Sequence, residues 1–487
     1  MRRGWRRCEA TWAWAVLAAM AIAGCEARQG GATRAPAEES YESLRRTAVV
    51  EVYQACKESV VNIGSARKDE KDPNITHTEF ASGVVLHPAG FVLTNAHLLQ
   101  QPGDLAVGFE GDGDLPARVI AVDEERDLAV LKIEADQRFK PIRFGRSRGL
   151  LVGERVITMG NPFGMGLTVA EGIVSALGRS TKSEYAFYAD MIQTDATTNP
   201  GSSGGPLLNV SGEMVGINTT KNLKADNIAF AIPADRLREV LPDILAVEER
   251  YGFSLGLTVD GDGPACVTEV AKGSPAEAGG VRAGDIITHI GREDVASALD
   301  FHLALVGARG GEPISIGVLR DGQFRSLTVV PKTVEPRAAE QNVGALAAGL
   351  EWEACNGRWE RLPDFSGVEV AKRGTAEQFG LAGFEGTDGF ALRFTGYIDV
   401  PADGVYTFYT RSDDGSRLYI GDRLVVDNDG PHSAREARGF IVLAKGKHPI
   451  TVAYFETIGG EVLEVSWEGP GLRKSPIPAT APSSAAP

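Results

Sequence analysis

The segment that most constrains this chain is a glycine-rich turn at residues 194–206, which reads Thr-Asp-Ala-Thr-Thr-Asn-Pro-Gly-Ser-Ser-Gly-Gly-Pro. Apolar runs flank this turn on both sides. Ser203 lies among small residues, and Gly201, Gly204 and Gly205 permit backbone conformations that other residues avoid. Such a turn can expose a serine hydroxyl beside N–H groups that converge on a developing oxyanion. We therefore predict Ser203 as a nucleophile, with the N–H groups of Gly201 and Ser203 as its oxyanion hole.

Two upstream segments supply partners for this serine. The stretch 92–97 is an apolar strand that ends in His97, and the stretch 126–133 places Asp127 at the head of another strand. Taken singly, His97 could be a core histidine and Asp127 a strand-end cap. Together with Ser203 they have the order of a catalytic triad, in which the acid accepts the Nδ1–H of the histidine and fixes its tautomer. We predict His97 as the general base and acid, and Asp127 as the residue that orients it.

With these motifs the chain resembles the HtrA (Deg) family of trypsin-like serine proteases over residues 48–240. The matching stretches are 82–85, 94–97, 127–131, 160–164, 193–196, 199–206 and 229–233. Short β-branched runs alternate here with glycine-rich turns, which indicates an all-β domain. The resemblance implies a chymotrypsin-like pair of β-barrels within 48–247, with the site between the barrels. One departure is Ser202, because the family usually has Asn before the nucleophile.

The resemblance also indicates what the protease would cleave. Thr197 lies six residues before Ser203, where trypsins carry an acid, so cleavage after Lys or Arg is not expected. The S1 pocket that receives the residue before the scissile bond is predicted to be walled by Thr198, Ile228 and Phe230. These side chains favour small or medium apolar residues. A helix is predicted at 234–245, where the apolar residues share one face.

Residues 252–332 resemble a PDZ domain. The stretch 273–280 followed by 283–287 carries the resemblance, with Ser274 as the predicted N-cap of a short helix. A PDZ domain implies recognition of peptide C-termini, which add a strand to its sheet. The alternative is that this domain serves only as a spacer and binds no peptide. The loop expected to hold the peptide carboxylate with its N–H groups comprises Ser254, Leu255, Gly256 and Leu257.

A linker rich in Pro, Ala and Glu spans 333–347, and the composition then changes at 348–478, where aromatic residues and glycines increase. This last region resembles the protective-antigen-type β-sandwich, the PA-fourteen domain. Along 404–409, Tyr406 and Phe408 alternate with Thr407 and Tyr409, which predicts a half-buried strand.

Adjacent aspartates at Asp413 and Asp414 suggest a ligand for the sandwich. In lectin members of that family such a pair binds Ca²⁺, which in turn holds sugar hydroxyls, and hard oxygen ligands suit this ion. The resemblance therefore implies calcium and glycan binding, with Asp427, Asn428 and Asp429 completing the shell. The alternative interpretation is a polar turn before a strand.

The first 24 residues have the pattern of an export signal. Four arginines precede an apolar stretch, 12–23, which is too short to span a membrane as a mature helix. The stretch ends in Ile-Ala-Gly-Cys, which resembles a bacterial lipobox with Cys25 as the lipidated residue. An ordinary secretory signal with a chance cysteine is the alternative. Residues 25–47 are predicted to be a tether, and 479–487 a tail.

The whole chain of 487 residues has a formal charge of −15, which argues against nucleic acid as a partner. We predict a mainly β protein: a chymotrypsin-like double β-barrel, then a PDZ domain, then a β-sandwich. Its expected function is that of a lipid-anchored, periplasm-facing serine endopeptidase acting on unfolded or mislocalised envelope proteins, with no cofactor for catalysis. Homotrimers are the habit of the resembled family. The alternative is a carbohydrate-directed adhesin or holdase chaperone with a latent protease.

Overall fold

The computed structural model describes residues 43, 45–68, 76–99, 104–111, 113–182, 187–221, 227–260, 263–340, 349–384 and 388–478. The predicted signal peptide, the predicted lipidation site at Cys25 and the tail 479–487 lie outside these residues, as do most of the tether and part of the linker. No helix within the described ranges is long and apolar enough to cross a membrane. The elements below belong to the unit that begins at Ala48.

A short helix, Ala48–Cys56, and a 3₁₀ turn, Lys57–Ser59, lead into the first β-barrel. Six strands close this barrel in the order β1-β2-β3-β6-β5-β4: β1 Val60–Lys68, β2 Thr76–His87, β3 Phe91–Thr94, β4 Asp104–Gly108, β5 Leu115–Asp123 and β6 Leu128–Ile133. Both faces of β6 are buried, because Ala129 and Leu131 fill the barrel while Leu128 and Val130 join a second apolar cluster outside it. A continuous apolar run therefore forms this strand.

The second barrel closes in the order β10-β11-β12-β9-β8-β7: β7 Arg155–Gly160, β8 Thr168–Lys182, β9 Phe187–Thr194, β10 Pro206–Asn209, β11 Met214–Lys221 and β12 Ala229–Pro233. A 3₁₀ turn, Pro162–Gly164, follows β7. Small apolar side chains, among them Val156, Val174 and Ala231, fill its interior. The predicted pair of β-barrels is confirmed.

The helix Ala234–Leu245 follows the last barrel strand and has the predicted bounds. Leu237, Leu241 and Ile244 are fully buried on its inner face, in an apolar cluster that continues from the barrels into the next domain. A second helix, Val247–Tyr251, which we call the linker helix, comes immediately afterwards. The protease region and the region after it thus share one core.

Residues 253–333 form short sheets and two helices, Pro275–Ala278 and Ala298–Ala304. The strands are β13 Phe253–Ser254, β14 Leu257–Val259, β15 Val267–Val270, β16 Ile286–Ile290, β17 Glu293–Asp294, β18 Ile314–Arg320, β19 Gln323–Val329 and β20 Lys332–Thr333. The main sheet has the order β17-β16-β18-β19, and β13 and β14 pair with β20 and β15. Ser274 caps the first helix as predicted, since its hydroxyl accepts the Glu277 N–H.

Two sheets form the C-terminal sandwich. Its strands are β21 Leu350–Asn356, β22 Lys372–Ala376, β23 Phe390–Val400, β24 Gly404–Asp413, β25 Ser416–Ile420, β26 Arg423–Asn428, β27 Arg435–Leu443, β28 Gly446–Glu456, β29 Val462–Gly469 and β30 Leu472–Pro476. Six strands pair as β22-β21-β23-β28-β25-β26, and four pair as β27-β24-β29-β30. Tyr406, Phe408 and Trp467 lie in the core between the sheets.

The prediction of a half-buried strand around residues 404–409 is wrong about the exposure of its outer face. Tyr406 and Phe408 face the core, yet Thr407 and Tyr409 are also buried on the other face, at 5% and 8% exposure. Two cationic side chains cover that outer face: the ammonium of Lys474 lies 4.4 Å from the Tyr409 ring, and Arg250 of the linker helix lies close to it. The outer face of β24 is therefore an interface between domains rather than a solvated surface.

Candidate active site

His97 leaves the first barrel at the end of β3. All four residues of β3 are buried, and the chain then turns into a 3₁₀ helix, Ala96–Leu99, that begins beside the buried Asn95. The Asn95 amide donates to the carbonyl of Asp127 at 3.0 Å, which ties the histidine segment to the acid segment. The imidazole of His97 is 15% exposed. One side of the ring therefore faces protein and another remains accessible.

Asp127 lies in the turn between β5 and β6, with its carboxylate only 1% exposed. Its backbone has a φ of 53°, in the left-handed region that non-glycine residues rarely adopt. Three donors reach the carboxylate: His97 Nδ1 at 2.8 Å, the His97 backbone N–H at 2.9 Å and the Thr219 hydroxyl at 2.6 Å. A buried carboxylate needs such donors, and the first of them leaves Nε2 of the imidazole pointing away from the acid.

Ser203 lies in the tight turn before β10. Its hydroxyl donates to the carbonyl of Thr219 at 2.6 Å. Thr219 thus touches both predicted partners, because its own hydroxyl bonds Asp127. Rotation of the Ser203 hydroxyl is enough to redirect its proton, and catalytic hydrogen bonds in free enzymes commonly tighten only when substrate binds.

Several backbone N–H groups of the turn around Ser203 donate hydrogen bonds to nearby carbonyls. The N–H of Ser202 donates to Asn199, that of Gly204 to Asn218 and that of Gly205 to Ser202. Within the described residues, the N–H groups of Gly201 and Ser203 have no acceptor. Gly201 and Gly204 have φ values of 96° and 84°, which only glycine adopts without strain. The predicted oxyanion donors are therefore the two that the turn leaves unused.

Ser82 on β2 connects this turn to both barrels, a role that its place in a matching motif did not reveal. Its hydroxyl donates to the Gly201 carbonyl at 2.6 Å and accepts the Asn161 N–H at 2.8 Å. Its backbone N–H donates to the Ser203 carbonyl at 3.0 Å, and its carbonyl accepts the Thr94 hydroxyl at 2.8 Å. The side chain is fully buried. Ser82 consequently holds the carbonyl groups of both Gly201 and Ser203.

The predicted S1 residues lie on the second barrel and on the turn. Phe230 is buried on β12, where it pairs with Gln193 of β9. Ile228 is partly buried against the same apolar cluster, and Thr198 is half-buried five residues before Ser203. Their role in specificity stays a prediction.

Known proteins match the chain in three segments. Residues 81–217 match the trypsin-like peptidase domain, 251–330 the PDZ domain and 383–481 the PA14 domain. A serine endoprotease DegS of Haemophilus influenzae is 32% identical over 292 residues, which cover 58% of this chain and 84% of that protein. The chain belongs to the HtrA/Deg family of serine proteases. The predicted resemblance is confirmed.

The match covers smaller shares of two other curated relatives of this HtrA/Deg chain, less than two thirds in the first case. A probable periplasmic serine protease do/HhoA-like of Haemophilus influenzae is 36% identical over 305 residues, which cover 59% of this chain and 64% of that protein. A putative serine protease HhoB of Synechocystis is 35% identical over 289 residues, which cover 54% and 69%. The solved structure of the HtrA-type protease AlgW with decapeptide is 28% identical and covers 60% of this chain and all of that chain, with a TM-score of 0.38.

In this HtrA/Deg chain, a glutamate side chain already bonds the loop that is predicted to hold a peptide carboxylate. Glu248 of the linker helix accepts the N–H of Leu255 at 3.1 Å, so this N–H is not free as expected. Burial raises the pKa of Glu248, while its hydrogen bonds with the Leu255 N–H and the Ser254 side chain oppose that rise. Gly256 has a φ of 70°, which keeps the loop tight. An internal carboxylate thus occupies a donor that a peptide C-terminus would use.

The aspartates at 413 and 414 do not fit the expected calcium shell. Both oxygens of Asp414 accept backbone N–H groups, from His432 and Thr457, and Asp413 accepts the N–H of Ala434. The other predicted ligands are engaged elsewhere: Asp427 and Asp429 pair with Arg417, and the side-chain Oδ1 of Asn428 accepts from Arg435. Among the described residues, no group of three or more His, Cys, Asp or Glu side chains is placed to hold a metal ion. These residues are placed as turn-forming acceptors, and we argue no function through calcium.

The geometry at Ser82 predicts a catalytic defect for Ser82→Ala. We expect kcat to fall roughly tenfold with little change in KM, because a loosened Gly201 peptide weakens an oxyanion donor that acts mainly in the transition state. Steady-state kinetics on a chromogenic peptide would measure this. The matched control is Thr94→Val, which removes a hydroxyl that contacts Ser82 but not Gly201. Equal kcat values for Ser82→Ala and wild type would contradict the assignment.

Proposed function

We propose that the chain is a serine endopeptidase that works through an acyl-enzyme on Ser203. The observation that carries this proposal is that three structural features lie together around Thr219. Asp127 is buried and holds Nδ1 of His97, Ser203 lies on a turn beside the same Thr219, and that turn has two unused N–H groups. This arrangement supports the proposed roles of His97 as base, Ser203 as nucleophile and the two N–H groups as oxyanion site.

Acylation would begin when the Ser203 hydroxyl turns from the Thr219 carbonyl to Nε2 of His97. His97 takes the proton as Oγ forms a bond to the scissile carbonyl carbon, and the carbonyl oxygen gains negative charge between the N–H groups of Gly201 and Ser203. Asp127 stabilises the imidazolium. The carbon–nitrogen bond then breaks as His97 gives its proton to the leaving amine.

Deacylation would use the same groups in reverse roles. His97 takes a proton from water, the resulting hydroxide oxygen bonds to the ester carbon, and the oxyanion again lies at Gly201 and Ser203. The ester bond to Ser203 breaks, and Oγ regains a proton from His97. No cofactor enters either half of the reaction.

The substrates we propose are unfolded or mislocalised envelope proteins cleaved after small or medium apolar residues. Support comes from the absence of an acid at Thr197, from the apolar Ile228 and Phe230, and from relatives described as periplasmic proteases. The PDZ domain would hold exposed peptide C-termini beside β14. A homotrimer and glycan binding by the sandwich stay predictions.

The first test is Ser203→Ala. This change removes one hydroxyl from an accessible turn, so the fold should persist while casein cleavage falls on the order of 10³-fold or more. Cleavage followed by gel densitometry, with circular dichroism as the folding control, would measure both. Near wild-type turnover by the variant would rule out the nucleophile, and an inactive wild type would favour the adhesin or holdase alternative.

The second test concerns the envelope anchor, which we place at Cys25. Cys25→Ser should remove the thiol that lipid modification requires, so the variant should not incorporate a fatty-acid probe and should stay in the aqueous phase of a detergent partition. Cys56→Ser is the matched control, because it also removes one thiol but should leave labelling intact. Undiminished labelling of the Cys25 variant would refute lipidation at this residue.

The third test addresses Glu248 in the PDZ loop. Glu248→Ala should strengthen binding of a peptide with an apolar C-terminus, roughly fivefold, because the Leu255 N–H no longer has to be vacated first. Glu249→Ala is the control, since Glu249 carries the same charge on the same helix and is exposed. Fluorescence anisotropy with free and amidated peptides would give the affinities. Binding that is indifferent to amidation would identify the domain as a spacer.

A further inference from the structure

The C-terminal sandwich contacts the part of the protease that leads to Asp127. Arg438 on β27 donates through Nη1 to the carbonyl of Val122 at 2.6 Å and through Nη2 to the carbonyl of Ile244 at 2.7 Å. Val122 lies near the end of β5, and Ile244 lies in the last turn of the helix Ala234–Leu245. Carbonyls at a helix C-terminus lack internal partners and favour a cation. One guanidinium therefore joins the barrel, the helix and the sandwich.

The guanidinium of Arg438 is held in place by its own sheet and by the linker helix. It lies 5.8 Å from the centre of the Phe440 ring, and the guanidinium of Arg250 lies 5.2 Å from the same ring. Arg250 in turn donates to the Leu245 carbonyl at 3.0 Å. Both arginines are thus anchored on one aromatic side chain and on the end of one helix, which fixes where Arg438 can reach.

A second cation of the sandwich touches the same turn. The ammonium of Lys474 on β30 lies 2.7 Å from Glu436 and 3.5 Å from Glu124. Glu124 is two residues beyond Val122, so the sandwich contacts both the end of β5 and the start of the turn after it. These contacts come from two different strands, β27 and β30, of one sheet.

The turn that receives these contacts holds the predicted acid in an unfavourable conformation. Asp123 accepts the backbone N–H of Arg126 at 2.8 Å and its guanidinium at 2.6 Å, and the Asp127 N–H donates to the Glu124 carbonyl at 3.3 Å. Asp127 itself has a φ of 53°. A non-glycine residue stays in this region only when its surroundings determine it strongly. Contacts at Val122 and Glu124 supply part of that constraint.

We propose that Arg438 is a positioning residue for proteolysis, which acts through Val122 on the turn that presents Asp127 to His97. The sandwich is then a structural part of the catalytic site as well as a separate fold. This inference rests on the proposed function, because it assigns Arg438 an effect on a reaction at Ser203.

The test is Arg438→Ala in the full chain. With a chromogenic peptide, kcat per active site should fall roughly tenfold while KM stays within twofold, because a small displacement of catalytic groups costs rate more than binding. The concentration of active sites is titrated with a fluorophosphonate. The acidic limb of the pH–rate profile should also move, since Asp127 stabilises the protonated base. Arg438→Lys should recover only part of the rate, because an ammonium cannot hold two carbonyls in the fork geometry of a guanidinium.

The matched control is Arg411→Ala, which removes the same charge from the neighbouring strand of the same sheet. Arg411 pairs with Glu464 at 3.0 Å on the solvent side and should leave kcat and the pH profile unchanged. The proposal is overturned if Arg438→Ala keeps the wild-type kcat per titrated site, even at a lowered melting temperature, because the residue then only stabilises the fold. If the wild type shows no activity that depends on Ser203, the proposed function is overturned instead, so the two failures are distinguishable.

Discussion

The buried carboxylate of Asp127 is the group on which the rest of the site depends. It is almost completely removed from water, and an ionised carboxylate in such a place must be surrounded by donors. Those donors come from different parts of the chain: His97 from the first barrel and Thr219 from the second. The Asp127 carboxylate therefore helps to hold the two barrels together beside the turn of Ser203.

What the sequence could predict was mainly local. Glycines at positions of positive φ mark the turn of Ser203, and the period of Leu237, Leu241 and Ile244 marks a helix whose bounds match the structure. Both signals depend on residues close together in the chain. Ser82 had no such signal for its function, because its importance lies in bonds to Gly201, 119 residues away. A serine in a β-strand carries no mark of what its hydroxyl will meet.

The same reason accounts for two of the expectations that the structure corrects. Alternation along β24 predicts one solvent-exposed face, yet Tyr409 is buried because the sandwich packs against the linker helix. The loop at Leu255 was expected to be free, yet Glu248 bonds it. Periodicity reports which residues can face a core. It does not report whether another domain will cover the opposite face, since that depends on packing between regions far apart in sequence.

The linker helix takes part in both of these regions, the loop at Leu255 and the buried outer face of β24. Glu248 and Arg250 are two residues apart, and residues at that spacing on a helix point in different directions. One therefore reaches the loop at Leu255 while the other reaches Phe440 of the sandwich and the end of the preceding helix. A helix of five residues has little stability of its own, so these contacts hold it in place. One short helix thus contacts the loop at Leu255 through Glu248 and, through Arg250, the Phe440 ring against which Arg438 also lies.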